Sequence, residues 1–281
     1  MVKNHTEMKC IVCLICLWTC EFHAQMRNSG TLSKGFFSAY FGGASNSFLR
    51  STITFKGSDY NFQATDVLFS QTSSDNKSSL FNQYRFGIAY MVRKKVQLSL
   101  GLENLSYHLS PQLLKLSGYV KPGFDQISGL SGDFDTQLST DSTSFDFQVR
   151  NAKLVSLTGN FFVPLYRTAK ANFTIDFHVG GGAIAVFSAA KVGFGSAYQE
   201  PQLKFSGSGL VLNSGLRLTF FKHVFLQPNI GGLVLFQRQL SLDVSDISQT
   251  AEHTLGVKQA SISLGTTFFP GKKNKCDCPH F

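Results

Sequence analysis

Asp176 and His178 stand two residues apart in a run from Phe173 to Gly180 whose oily residues alternate with polar ones. On an extended strand both side chains leave the same face. A carboxylate beside an imidazole can orient a base, and a neighbouring Ser or Thr would complete a nucleophile, base and orienter set. His108 and Ser110, in Tyr107-His108-Leu109-Ser110, repeat that spacing, but no acidic partner can be named for them. Cys276 and Cys278, with His280 close behind, place three soft ligands in the tail. Tetrahedral zinc sites use four groups, or three and a water, and a one-residue spacing strains a disulfide. The tail is therefore read as a solvated end with two thiols, and neither a metal nor a cofactor is expected. The sequence has no Gly-rich phosphate loop opening a helix and no His-Glu-x-x-His.

Asp176 and His178 also belong to a larger set. Arg85, Glu103, Asp146, Arg150, Asp176, His178 and Arg217 all fall on the polar faces of alternating runs. Charges turned into a narrow barrel offset their burial by pairing with one another. These seven are expected to form a lumen charge network, and the chain is not read as an enzyme.

The elements that must position them are strands. Val96, Leu98, Leu100 and Leu102 alternate with Gln97, Ser99, Gly101 and Glu103. The pattern recurs at 84–92, at 173–180 and at 210–220, where Val211 and Ser214 each break one face. Shorter versions are Val155, Leu157, Phe161 and Val163, and Ile262, Leu264 and Phe268. A soluble sandwich also alternates, so length and residue size must decide. The runs extend to about 9–13 residues, matching the 9–11 that cross a bilayer at a tilt rather than the 5–6 of an average strand. Their polar faces are rich in Gly, Ser, Thr and Asn, which suit a crowded barrel interior. A sheet in lipid must close on itself.

The candidate strands are 35–43, 81–92, 95–107, 144–151, 153–166, 171–187, 208–221, 223–238 and 256–269. Nine is odd, and single-chain bacterial barrels have even numbers. The expected fold class is all-β: an antiparallel transmembrane β-barrel of eight strands, or of ten if 50–69 adds a hairpin, with long extracellular loops. Tight joins at Arg93-Lys94-Lys95, 167–170 and 221–223 face long connections at 70–80, 108–143, 188–207 and 239–255. The stretch from Ser117 to Thr143 reads as a mobile loop or partial plug. Tyr84, Tyr90, Tyr107 and Tyr166 lie near strand ends, where rings suit the membrane interface.

Composition agrees with strands: 28 Phe against 1 Trp, 25 Gly and only 15% charged residues. The net charge of +9 does not come from a basic stripe, the densest run being Lys272, Lys273 and Lys275, so no nucleic-acid partner is expected. Residues 1–24 carry Lys3 and Lys9, an apolar run from Ile11 to Trp18 and a small Ala24, the pattern of a cleaved signal peptide. Cys20 leaves a lipoprotein alternative, against which stands Thr19 before it. The organisation expected is signal peptide 1–24, barrel 25–270 and basic Cys-containing tail 271–281. The partners expected are outer-membrane lipids and the barrel assembly machinery, with no ligand readable.

Residues 52–67, TITFKGSDYNFQATDV, together with Gln83-Tyr84-Arg85-Phe86-Gly87 and TFFKHVFLQPNIGG at 219–232, resemble an outer-membrane β-barrel family of Bacteroidota. The resemblance covers most of the chain after the leader and implies location and fold, with no activity attached. The chain departs from it at Asp66-Val67-Leu68-Phe69, where relatives more often continue with charge. His108 and Ser110 are also similar to the pair in outer-membrane lipid A deacylases, but the Asn expected after the Ser is missing. The leading expectation is a non-enzymatic outer-membrane barrel with an envelope-structural, adhesive or small-solute role. A lipid-modifying barrel enzyme and a soluble periplasmic lipid-binding barrel are the alternatives.

Overall fold

A computed structural model describes residues 34–71, 83–125, 129–140, 145–169, 172–192, 203–242 and 250–268. The leader, Cys276, Cys278 and the basic tail lie outside the described residues. In chain order the strands are β1 (Phe37–Phe48), β2 (Ser51–Lys56), β3 (Tyr60–Val67), β4 (Phe69–Gln71), β5 (Gln83–Arg93), β6 (Val96–Leu109) and β7 (Leu113–Val120). They continue as β8 (Gly132–Ser139), β9 (Phe147–Arg167), β10 (Phe173–Ser188), β11 (Ala190–Val192), β12 (Lys204–Phe220), β13 (Val224–Ser241) and β14 (Thr250–Phe268). Among the described residues no helix is long and apolar enough to cross a membrane.

The sheet is antiparallel throughout and contains a ring. Pairing runs β1-β5-β6-β9-β10-β12-β13-β14, and β1 pairs back onto β14 from Phe37↔Phe268 to Phe48↔Val257. Tight links lie at one end of this ring: Lys94 and Lys95 between β5 and β6, the short link from β9 to β10, across which Thr168 N–H donates to the Phe173 carbonyl at 3.1 Å, and Phe221 to His223. Phe221 and Lys222 both take positive φ, 51° and 68°, a left-handed pair of the kind that matches the twist of a tight hairpin.

The long connections at the other end are themselves partly strands. β2 pairs with the start of β14, and the sheet continues through β3 and β7 to β8, while β4 adds to β6 and β11 to β9. The 50–69 hairpin therefore stands beyond the ring and does not widen it. β7 and β8 occupy much of the stretch expected as a mobile loop or plug, so that expectation is corrected for 117–120 and 132–139. Leu114 and Leu116 are buried in a common apolar core and explain why this hairpin folds. The two strands expected at 144–151 and 153–166 are one strand, β9, interrupted by Asn151 at φ 52°. That extra residue slips the alternation by one and makes a continuous strand read as two.

Polarity inverts along the strands. At the tight-turn end, outward residues are apolar and exposed, as with Leu98, Leu100, Leu102, Phe177 and Leu264, while Ser99, Thr158, Asn160 and Ser263 are buried inside. Toward the other end the inward positions become Leu105, Tyr107, Leu154, Ile184, Val186, Leu235 and Leu255, all buried. The outward neighbours there include the exposed Arg150 on β9 and Thr254 and Lys258 on β14, while β13 keeps the exposed Val234 and Phe236. The loop strands bring Ile53, Phe55, Phe62 and Phe69 into the same cluster as Phe147 of β9. Phe55 stacks on Phe62 at 4.8 Å and meets Phe147 edge-on at 6.0 Å. Each such buried side chain contributes roughly 1.5–3 kcal/mol.

Candidate functional site

The polar half of the ring holds most of the sequence-predicted charges, arranged as two groups rather than one chain. In the first, β5 and β6 pair Arg85 with Glu103 in register, and Arg85 Nη2 lies 2.8 Å from Glu103 Oε1. Arg85 Nη1 donates to Ser261 Oγ at 2.8 Å, and Gln259 Nε2 donates to Glu103 Oε2 at 3.1 Å. The pair is mostly removed from solvent, and the extra bonds meet the polar capacity that burial would leave unused. Beneath it Tyr40 crosses the lumen from β1, with the Arg85 guanidinium 6.0 Å from its ring centre. Gly87 makes room for that ring: a Cβ there would come within 2.3 Å of Tyr40 Cζ.

The second group lies nearer the tight turns. Arg217, on β12, is fully enclosed, with Nη2 donating to Thr267 Oγ1 at 2.7 Å and to Ser38 Oγ at 3.3 Å. Its guanidinium lies 3.7 Å from the centre of the Phe225 ring and 5.8 Å from that of Phe162, contacts that hold a cation out of water. Asp176 is its ladder partner on β10, and Thr174 Oγ1 donates to Asp176 Oδ2 at 3.4 Å. Asp176 and Arg217 form no ion pair within 4.0 Å, and Asp176 Oδ1 and Arg217 Nε are buried without a protein partner among the described residues.

His178 does not face Asp176 as a base faces its orienter. Its Nε2 lies 2.7 Å from Asn229 Oδ1 and 3.1 Å from Gln227 Nε2, and its ring packs 5.3 Å from Phe162. Nδ1, the atom an orienting carboxylate would take, is buried without a partner. The cavity between the two groups is about 20 Å³, enough for a water-sized molecule and too small for a substrate.

Two expected members stand elsewhere. Asp146 and Arg150 are exposed on the outside of the apolar-cored half. The Asn151 bulge is the reason: it puts Phe147 and Val149 inward, so Arg150 turns out although it shares even numbering with the inward Ala152 and Leu154. Tyr107 is likewise corrected from an interfacial ring to a core residue, 0% exposed and donating its hydroxyl to Gln237 Oε1 at 3.0 Å. Ser110 Oγ bonds to Ser70 Oγ, and His108 sits opposite Gln148 in the ladder.

The sequence reading missed the uncharged members of the network: Tyr40, Ser261, Gln259, Ser38, Thr267, Asn229 and Phe225. Their one signal is position on the small, polar face of a strand, which many other residues share. Among the described residues no group of three His, Cys, Asp or Glu is placed to hold a metal.

No protein-family model matches the chain, and no curated protein matches it. Solved structures similar to it include the outer membrane protein OprG from Pseudomonas aeruginosa, at 11% identity and a TM-score of 0.36, covering 86% of this chain and 100% of that one. Another is the N-terminal β-barrel domain of Pseudomonas aeruginosa OprF, at 9% identity and 0.35, covering 84% and 98%. A third is Neisserial surface protein A, at 10% identity and 0.34, covering 82% and 97%.

Proposed function

We propose that this chain is an integral outer-membrane protein, with a ring that crosses the bilayer as an eight-stranded β-barrel and an apolar-cored half that stands outside the cell. Its role is envelope-structural or adhesive. Residues 1–24 are its cleaved leader, and the barrel assembly machinery is its partner during insertion. The observation that carries this reading is the inversion of polarity along single strands. A wall that is oily outside and polar inside suits lipid, and a wall that is polar outside and oily inside suits water. From Phe268 to Lys258 the climb is about 25 Å at ~3.3 Å per residue and ~40° of tilt, the height of the apolar band of such barrels.

Filling of both halves favours a structural or adhesive role over passage of solutes. The polar half is crossed by Arg85, Glu103, Tyr40 and Arg217, and the other by aromatic side chains. A soluble lipid-binding barrel would need an apolar cavity, whereas the lumen space here is small and lined by Ser, Thr, Asn and Arg. The resemblance of 52–67, 83–87 and 219–232 to Bacteroidota barrels agrees with this location. These segments form the β2–β3 hairpin, the start of β5 and the β12–β13 hairpin.

Membrane fractionation of the expressed precursor, followed by gel mobility of the detergent-extracted protein with and without heating, tests the reading. Retention in the outer membrane with a heat-dependent shift is expected. Release without detergent and no shift would overturn it. Hydrolysis of lipid by purified protein, lost on substitution of Asp176, His178 or His108, would favour the enzyme instead.

A further inference from the structure

The outer wall of the ring is depressed where it crosses β10, β12, β13, β14 and β1, forming an open groove of about 670 Å³. In one ladder row Ile230 stands between Ser214 and Ala260, and in the next Gly232 stands between Leu212 and Lys258. The small residues lower the floor while the highly exposed Leu212 and Ile230 form its ridges. The floor at Gly232 is open, since a Cβ there would meet only the Val257 carbonyl oxygen at 3.5 Å.

Lys258 gives this groove a charge at its upper end. Several cations beyond the ring are neutralised by the chain itself: Arg50 by Asp66 at 2.7 Å, Lys56 by Glu252 at 2.8 Å and Lys121 by Asp59 at 2.9 Å. Lys258 is exposed on the wall with no carboxylate within 4.0 Å among the described residues. A lysine on a lipid-facing wall is unfavourable toward the midplane and tolerated near the head groups. At the top of the apolar band its counter-charge comes from the surroundings, and there that means an anionic head group.

We propose that the groove seats an acyl chain of a lipid whose anionic head group pairs with Lys258 Nζ. This assignment rests on the membrane-spanning reading above. The pairing is a charge-assisted contact at the level of the head groups, and Ser214, Ala260 and Gly232 give the chain space that bulkier residues would occupy.

The test uses the purified full chain in non-ionic detergent, titrated with dioleoyl phosphatidylglycerol or dioleoyl phosphatidylcholine and read by native mass spectrometry. The wild type is expected to retain one phosphatidylglycerol about fivefold better than phosphatidylcholine, the effect of roughly one lysine near a lipid surface. Lys258→Gln should remove that preference and Lys258→Arg should keep it. Gly232→Leu, which fills the floor, should lower retention of both lipids. Each variant is first checked for heat-dependent mobility, so that loss of folding is not read as loss of binding. Equal retention of the two lipids by the wild type, or an unchanged preference in Lys258→Gln, would overturn the proposal. So would a dimer abolished by Gly232→Leu without any lipid adduct, which would make a second copy the occupant. Release of the wild type from membranes without detergent would instead overturn the membrane reading. A heat-modifiable, detergent-requiring barrel without lipid preference overturns the groove assignment alone.

Discussion

Arg85 and Glu103 show how a buried ion pair is held in this lumen. Each charge has the other at 2.8 Å and a further hydrogen bond, from Arg85 to Ser261 and from Gln259 to Glu103. Removing one partner leaves the other enclosed and unpaired, so Glu103→Leu should cost about 3–5 kcal/mol of unfolding free energy. The double variant Arg85→Leu with Glu103→Leu should lose less than Glu103→Leu alone. Urea unfolding in lipid vesicles measures both, and a double variant weaker than Glu103→Leu would show that the pair is not energetically coupled in this way. His253 stands in the other half, above the apolar band, among Phe69, Tyr107 and Phe147 and 2.9 Å from Ser51 Oγ. Burial pushes its pKa down to about 3. An unfolded histidine titrates near 6.5, so below that pH the unfolded chain takes up a proton that the folded chain refuses. Stability contributed by neutral His253 is therefore full above about pH 6.5 and declines as pH falls toward about 3. Replacing His253 with Phe should flatten that part of the stability profile, measured by urea unfolding between pH 7 and pH 4; an unchanged slope would assign the acid sensitivity to other groups.

At the scale of the strand, faces are set by counting, and a bulge resets the count. Asn151 turns Arg150 out and Phe147 and Val149 in, both of the latter at 0% exposure. Replacing Asn151 with Val, which resists the left-handed backbone that the bulge needs, should loosen the hold on Phe147 and Val149. The expected outcome is a ring that still shifts on heating, with faster cleavage of the 110–146 connection in limited proteolysis read by mass spectrometry. Cleavage at the wild-type rate would mean that β9 reforms its bulge at another residue. The two interruptions of the 210–220 pattern also have structural meaning. Val211 begins the apolar interior, and Ser214 is a small outward residue on the floor of the groove. In β6 the apolar set moves from Val96, Leu98, Leu100 and Leu102 to Leu105, Tyr107 and Leu109, a change of parity that was present in the sequence as a sign of inversion.

For the whole molecule, the ring has a polar interior at its tight-turn end and an apolar interior where the loop strands extend it. Among the described residues the cavity between the two charged groups is about 20 Å³, and the far end is filled by the Phe55, Phe62 and Phe147 cluster. Purified protein in planar bilayers should therefore give no steady ion conductance, whereas stable single-channel steps would point to a pore that the static packing does not contain. Stability should be shared unevenly. The ring is tied by ladders along every strand, while β8 is held in the sheet through β7. Proteolysis is accordingly expected to enter at the extension before the ring.

The sequence by itself determined the alternation within each run and the asymmetry between tight turns and long connections. These are local properties, because a period of two and a hairpin turn are written in consecutive residues. It also marked Arg85, Glu103, Asp176, His178 and Arg217 as residues of the polar face. Tertiary structure decided what those residues meet, joined β9 across its bulge, turned Asp146 and Arg150 outward and added β7 and β8 to the β2–β3 hairpin. It brought β1 beside β14, pairing Phe37 with Phe268, and Arg217 to Thr267 and Ser38. Such contacts join residues far apart in the chain, and identical small polar side chains on every strand leave the choice of partner to the ring register alone.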